Sequence, residues 1–111
     1  MKLPLETHPG VAVITVSEAR LDAARSNAFK KRFHSLPIRD ANAIIDMRNV
    51  QYVDSSGLGA LISCLRVRAK HGGSLKLCSM TGRVQAMFEL VRMNRVFQIY
   101  HTRRDAIQSC E

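Results

Sequence analysis

Apolar and polar positions recur in two rhythms along this chain, and the changes between them mark out its elements. Residues 3–7 and 11–17 read as two short strands joined by His8-Pro9-Gly10, a turn signal. In the second strand Val11, Val13 and Thr15 interleave with Ala12, Ile14 and Val16, so both faces are mostly apolar, as in an inner strand. Pro4 lacks an N–H for a ladder and assigns the first strand to a sheet edge. Asp22 is placed to cap a helix running to about Leu36, with Phe29, Phe33 and Leu36 on one stripe. Lys30, Lys31 and Arg32 largely face away from that stripe, and Pro37 ends the helix.

Ala43–Met47 is a short apolar run suited to a buried parallel strand. The next helix begins at Ser55 or Ser56 and runs to about His71. Leu58, Leu61, Ile62 and Leu65 form its stripe, and Gly72-Gly73 supplies the left-handed stop. Ser74–Met80 is another strand. Thr81 then caps a helix with Val84, Met87, Phe88 and Val91 on its apolar side. Val96–His101 is the last strand, and Thr102 with Asp105 forms a Thr-x-x-Asp variant of the capping box before a short final helix. Strands alternating with helices after an opening hairpin imply an α/β domain over residues 1–111, with a mostly parallel sheet joined by crossovers.

The junction Val50–Leu61 carries the candidate chemistry. An apolar, β-prone loop passes into a helix there, with Ser55 and Ser56 at the transition. The first turn of a helix has N–H groups without internal partners and is partly positive, so Asp54 or Ser55 at the N-cap would accept from them. Gly57 and Gly59 each cost a helix interior roughly 1 kcal/mol against Ala. Two of them in one first turn imply that a ligand or partner surface comes close to the backbone. A phosphate on Ser55 would meet helix donors that suit an anion, with Asp54 beside it repelling the charge.

Val53-Asp54-Ser55-Ser56-Gly57-Leu58-Gly59, preceded by Ala43-Ile44-Ile45-Asp46-Met47, resembles the signature of the STAS family, in particular the bacterial anti-sigma factor antagonists. Leu21-Asp22-Ala23 before a helix, His71-Gly72-Gly73 ending one, and the downstream element order extend the resemblance over nearly the whole chain. It departs from the family in the missing Gly before Arg20-Leu21-Asp22 and in its basic balance. The resemblance implies a mixed, mostly parallel sheet of about five strands with about four helices packed mainly on one side. It also implies that Ser55, the first Ser after the Asp, is phosphorylated by a partner serine/threonine kinase that is itself an anti-sigma factor. Ser56 is the fallback should the helix register differ. Asp22, Asp54, Ser55, Ser56, Gly57 and Leu58 would form the partner-binding surface, and a PP2C-type phosphatase would reset the switch. The domain itself would need no cofactor or metal.

Composition narrows the alternatives. The 111 residues are 46% hydrophobic and 23% charged, an ordinary globular profile. No apolar run approaches the length of a membrane span, and Met1–Glu6 lacks an export signal. Cys64, Cys78 and Cys110 are an odd set without metal-ligand spacing and read as reduced thiols of a cytoplasmic protein. A formal charge of +8, from 17 Lys+Arg against nine Asp+Glu, would suit nucleic acid or steering toward an acidic partner. Aromatics are only 5%, with no stacking platform, which argues against nucleic acid. Catalytic motifs are missing. Val53 stands where a nucleophile elbow needs Gly, Ile62 where a dinucleotide fingerprint does, and His8, His34, His71 and His101 are scattered. Three readings remain from sequence: a phosphorylation-driven partner switch, a STAS subunit held constitutively in a lipid-transport or stressosome-like assembly, and a basic nucleic-acid adaptor.

Overall fold

The computed structural model describes the whole chain, Met1–Glu111. Its elements are strands β1 (Leu5–His8), β2 (Val11–Thr15), β3 (Arg20–Leu21), β4 (Asn42–Asp46), β5 (Tyr52–Val53), β6 (Ser74–Cys78) and β7 (Gln98–Tyr100). The helices are α1 (Ser26–Ser35), α2 (Ser55–Lys70), α3 (Gly82–Leu90) and α4 (Arg103–Gln108), with a 3₁₀ turn at Met93–Arg95. Five strands form one sheet in the order β1-β2-β4-β6-β7. Only the β1–β2 hairpin is antiparallel, turned at Gly10, where φ is +76°. The other pairings are parallel. As Pro4 foretells, β1 lies at an edge.

The parallel strands advance in one direction across the sheet, so right-handed crossovers place α1, α2 and α3 on the same face. The period of two then sorts the side chains. Ala12, Ile14, Ala43, Ile45, Leu75 and Leu77 meet Phe29, Phe33, Leu61, Cys64, Val84 and Phe88 from those helices in the main core. Val11, Val13, Ile44 and Cys78 face the other way, where Ala106 of α4 covers them in a smaller cluster. Sequence reading and structure agree on a mostly parallel five-stranded sheet with helices mainly on one side.

Polar residues on the lightly covered face anchor α4. Asp46, fully buried at the end of β4, accepts from Arg103 Nε at 3.0 Å and from Arg48 Nε at 3.1 Å. Arg103 also reaches Thr15 Oγ1 and, at 2.6 Å, Glu6. Lys76 Nζ donates to Ser109 Oγ at 2.8 Å. Burial pushes the Asp46 carboxyl up, but the bonds from Arg48 and Arg103 outweigh it and hold it below the ordinary value of 3.8.

Several boundaries differ from the sequence reading. Strand β1 begins at Leu5, after Pro4, although Leu3 is still buried. Asp22 does not cap α1. That helix begins at Ser26 behind Arg25, which offers no side-chain cap, and Asp22 starts the preceding turn through its carbonyl to Arg25 N and Ser26 N. The expected last strand loses its first two residues, where the 3₁₀ turn at Met93–Arg95 leads into it, and ends at Tyr100 rather than His101. Val91 is not in the stripe of α3. It follows the last helical residue and stands 44% exposed. Thr81 and Thr102 both cap, accepting from Val84 N at 3.3 Å and Asp105 N at 3.0 Å.

Candidate functional site

Beyond the C-terminal end of β4, the chain builds a small second sheet before entering α2. Residues β3 and β5 pair in parallel, Arg20 with Tyr52 and Leu21 with Val53. The Ala19 carbonyl accepts from Gln51 N at 2.7 Å and Tyr52 N at 3.2 Å, and Leu21 O accepts from Asp54 N at 3.3 Å. Two residues per strand are too few for any periodicity to show. The pairing brings Leu21-Asp22-Ala23 against Asp54–Leu58, so the structure gathers the predicted surface residues into one place.

Asp54 is the N-cap of α2. Its backbone is extended, with φ −101° and ψ −173°, and its Oδ1 accepts from Gly57 N at 2.9 Å. The other oxygen, Oδ2, accepts from Ala23 N at 3.1 Å. One carboxylate therefore closes the first turn of α2 and fastens the loop after β3 to it. With the cap assigned to Asp54, Ser55 and Ser56 become the first two residues of the helix. Both are exposed, and their hydroxyls are not needed for capping. By helix geometry their N–H groups have no carbonyl one turn back.

The two glycines serve different ends. A Cβ on Gly57 would fall 1.9 Å from the Leu21 carbonyl oxygen, so what approaches this backbone is the chain's own β3 rather than a ligand. Gly59 is exposed, and a Cβ there would meet nothing within 4 Å. Only Gly59 leaves the outer surface of α2 bare.

Around this junction lie charged and aromatic groups that local sequence reasoning passes over. Asp22 is held by Arg20 Nε at 3.1 Å and by Arg25 Nη1 at 3.1 and 3.2 Å. Burial raises the Asp22 carboxyl, and the two guanidinium groups more than reverse this and keep it below its usual value. The Arg20 guanidinium also stacks over Tyr52, 4.3 Å from the ring centroid, and Tyr52 is 40% exposed. Leu58 is half-buried and packs against the main core. The partner of Tyr52 comes from across the β3–β5 pairing, whereas those of Asp22 lie two residues before it and three after, an Arg on each side that was the one signal in the sequence.

No three His, Cys, Asp or Glu side chains converge as a metal site. The three cysteines are free, and burial raises the thiols of Cys64 to about 12 and Cys78 to about 11. No helix is long and apolar enough to cross a membrane.

Comparison with known proteins agrees with this geometry. The model of the STAS domain matches residues 2–106. The anti-sigma F factor antagonist of Paenibacillus polymyxa is 22% identical, over 100% of this chain and 96% of that protein. An anti-sigma factor antagonist from Mycobacterium paratuberculosis superposes with a TM-score of 0.84 at 22% identity, covering 98% of this chain and 92% of the other. The anti-sigma factor antagonist SpoIIAA in its unphosphorylated form gives 0.76 at 18% identity, covering 97% and 95%. Sheet order, the Asp-capped junction and a match over almost its full length together establish that this chain belongs to the STAS domain family.

Proposed function

We propose that the chain is an anti-sigma factor antagonist that works by partner switching. Bare, the surface of Asp22, Asp54, Ser55, Ser56 and Leu58, with buried Gly57 beneath it letting β3 lie close, docks on an anti-sigma factor that is also a serine kinase. The kinase moves the γ-phosphate of ATP to Ser55 Oγ, with the hydroxyl proton leaving to a base and ADP released. A PP2C-type phosphatase hydrolyses the ester and returns the domain to its binding form. The domain is a binding protein and a kinase substrate, and the chemistry belongs to its partners.

One observation carries this reading: Ser55 stands exposed at the start of α2 while Asp54 alone performs the capping. The hydroxyl is accessible to a kinase, and its modification leaves the cap in place. A phosphoserine adds about −1.5 to −2 charges next to the Asp54 carboxylate. Helix donors offset part of that charge in water. Burying the remainder against a partner costs about several kcal/mol, enough to release it. The relatives named as anti-sigma factor antagonists, one of them described in an unphosphorylated form, support the same reading.

A pull-down with wild-type and Ser55→Asp baits tests it. Wild type retains an anti-sigma kinase and Ser55→Asp loses it. Equal retention by both baits would instead favour a constitutive STAS subunit, and phosphate found by mass spectrometry on a residue other than Ser55 would overturn the site assignment.

A further inference from the structure

Helices α1 and α2 pack side by side over the sheet, and neither contains an Asp or Glu. Between them they carry Lys30, Lys31, Arg32, Arg66, Arg68 and Lys70. Arg68 is occupied, donating to the carbonyls of Asp40, Ala41 and Ser74, and Arg32 reaches Ser35 Oγ. The ion pairs of the molecule draw on His8, Arg20, Arg25, Arg48 and Arg103, all outside these two helices. Lys31, Arg66 and Lys70 are therefore exposed, and Lys30 half-buried, all without carboxylate partners.

A groove of about 430 Å³ runs between the helices, lined by Asn27, Lys30, Lys31, His34 and Ser63. Along the outer face of α2, Ser56, Gly59, Ser63, Arg66 and Lys70 follow one another at intervals of three and four, the spacing of a single helical face. The upper half of this face is small and open at Gly59, and the lower half is basic. It begins one residue from Ser55, so whatever docks on the switch meets this face next.

We infer that the α1–α2 face seats an acidic segment of the same kinase that modifies Ser55, laid from the switch down the groove. This inference rests on the partner-switching reading. Charge complementarity selects carboxylates, and the small residues let a protein backbone come close. Nucleic acid would want a row of stacking surfaces, but the phenyl rings of these helices, Phe29 and Phe33, are buried, and His34 is the single exposed ring. A membrane surface would want an apolar wedge, but the exposed large apolar side chains, Tyr52, Leu90, Val91 and Val96, all lie off both helices.

The probe is found by assaying the purified serine-kinase anti-sigma factors of the source organism, one by one, for phosphate on Ser55 of the wild-type chain. With that kinase at low salt, Lys30→Glu/Lys31→Glu raises the KM for this substrate about tenfold with kcat unchanged, and the gap closes as salt is added. Arg95→Glu/Arg104→Glu, which makes the same change in net charge away from both helices, leaves KM within about twofold. Lys30→Gln/Lys31→Gln falls between, and decides the matter should the charge-reversed variant melt early. An unchanged KM in the folded variants, or an equal rise in the control pair, overturns the inference while Ser55 phosphorylation stands. So does binding of a 20-base-pair DNA duplex or of phosphatidylglycerol vesicles that the Lys30/Lys31 variants lose while their KM holds. If no kinase marks Ser55, the switch itself fails, and the acidic docking segment fails with it.

Discussion

At Ser55 the structure separates two roles that adjacent Asp and Ser residues often share. Asp54 takes the capping bonds to Gly57 N and Ala23 N, and Ser55 is left with an exposed hydroxyl. Ser55→Ala is therefore expected to change unfolding free energy by no more than about 0.5 kcal/mol, as for other exposed positions. The same change should abolish phosphate incorporation, read by mass spectrometry after incubation with kinase and ATP. Asp54→Ala removes a cap and leaves the Ala23 amide without its acceptor. A loss of about 1–2 kcal/mol in urea unfolding is expected.

At the scale of elements, α2 is locked to β3 from below and left bare above. Gly57→Ala would put a methyl into the Leu21 carbonyl, a backbone group that cannot swing aside. It should destabilise the domain by about 3 kcal/mol or more and displace the whole junction. Gly59→Ala should do the opposite, gaining about 0.5–1 kcal/mol of helix stability because its Cβ enters open space. If the outer face of α2 is the docking surface, that stabilised variant should nevertheless bind the partner more weakly, as a titration would show. These two glycines also mark how far the sequence could be read. Their presence in the first turn of α2 pointed to a close approach, but nothing nearby revealed that Leu21, 36 residues earlier, was what approached Gly57. Elements with a full apolar period, such as α2 and β2, were legible. The two-residue strands β3 and β5 depended on distant pairing, whereas Asp22 turns, rather than capping α1, to Arg20 and Arg25 only two and three residues away.

For the whole molecule, the two faces of the sheet are held by different physics. Three helices bury Phe29, Phe33, Leu61 and Phe88 on one side, while a six-residue helix on the other is pinned by ions. Because the folded Asp46 carboxyl lies below its ordinary value, its contribution is fully present above pH 3.8 and fades as pH falls through the lower folded value. Acid unfolding monitored by circular dichroism should thus shift toward higher pH in Arg103→Met, which removes one of the two guanidinium groups holding that carboxylate. The same substitution should lower stability at neutral pH by about 1–3 kcal/mol, since it strips a charged partner from a buried group. Strand alternation places Asp46 and Lys76 on the α4 face, whereas their partners Arg103 and Ser109 required the chain to return from residues 103–109.

The most direct measurement titrates the purified kinase with this domain, once bare and once carrying phosphate on Ser55, in the same buffer. The bare domain should bind at least about a hundredfold more tightly, the equivalent of roughly 2.7 kcal/mol. Equal affinities for the two forms would contradict partner switching at Ser55.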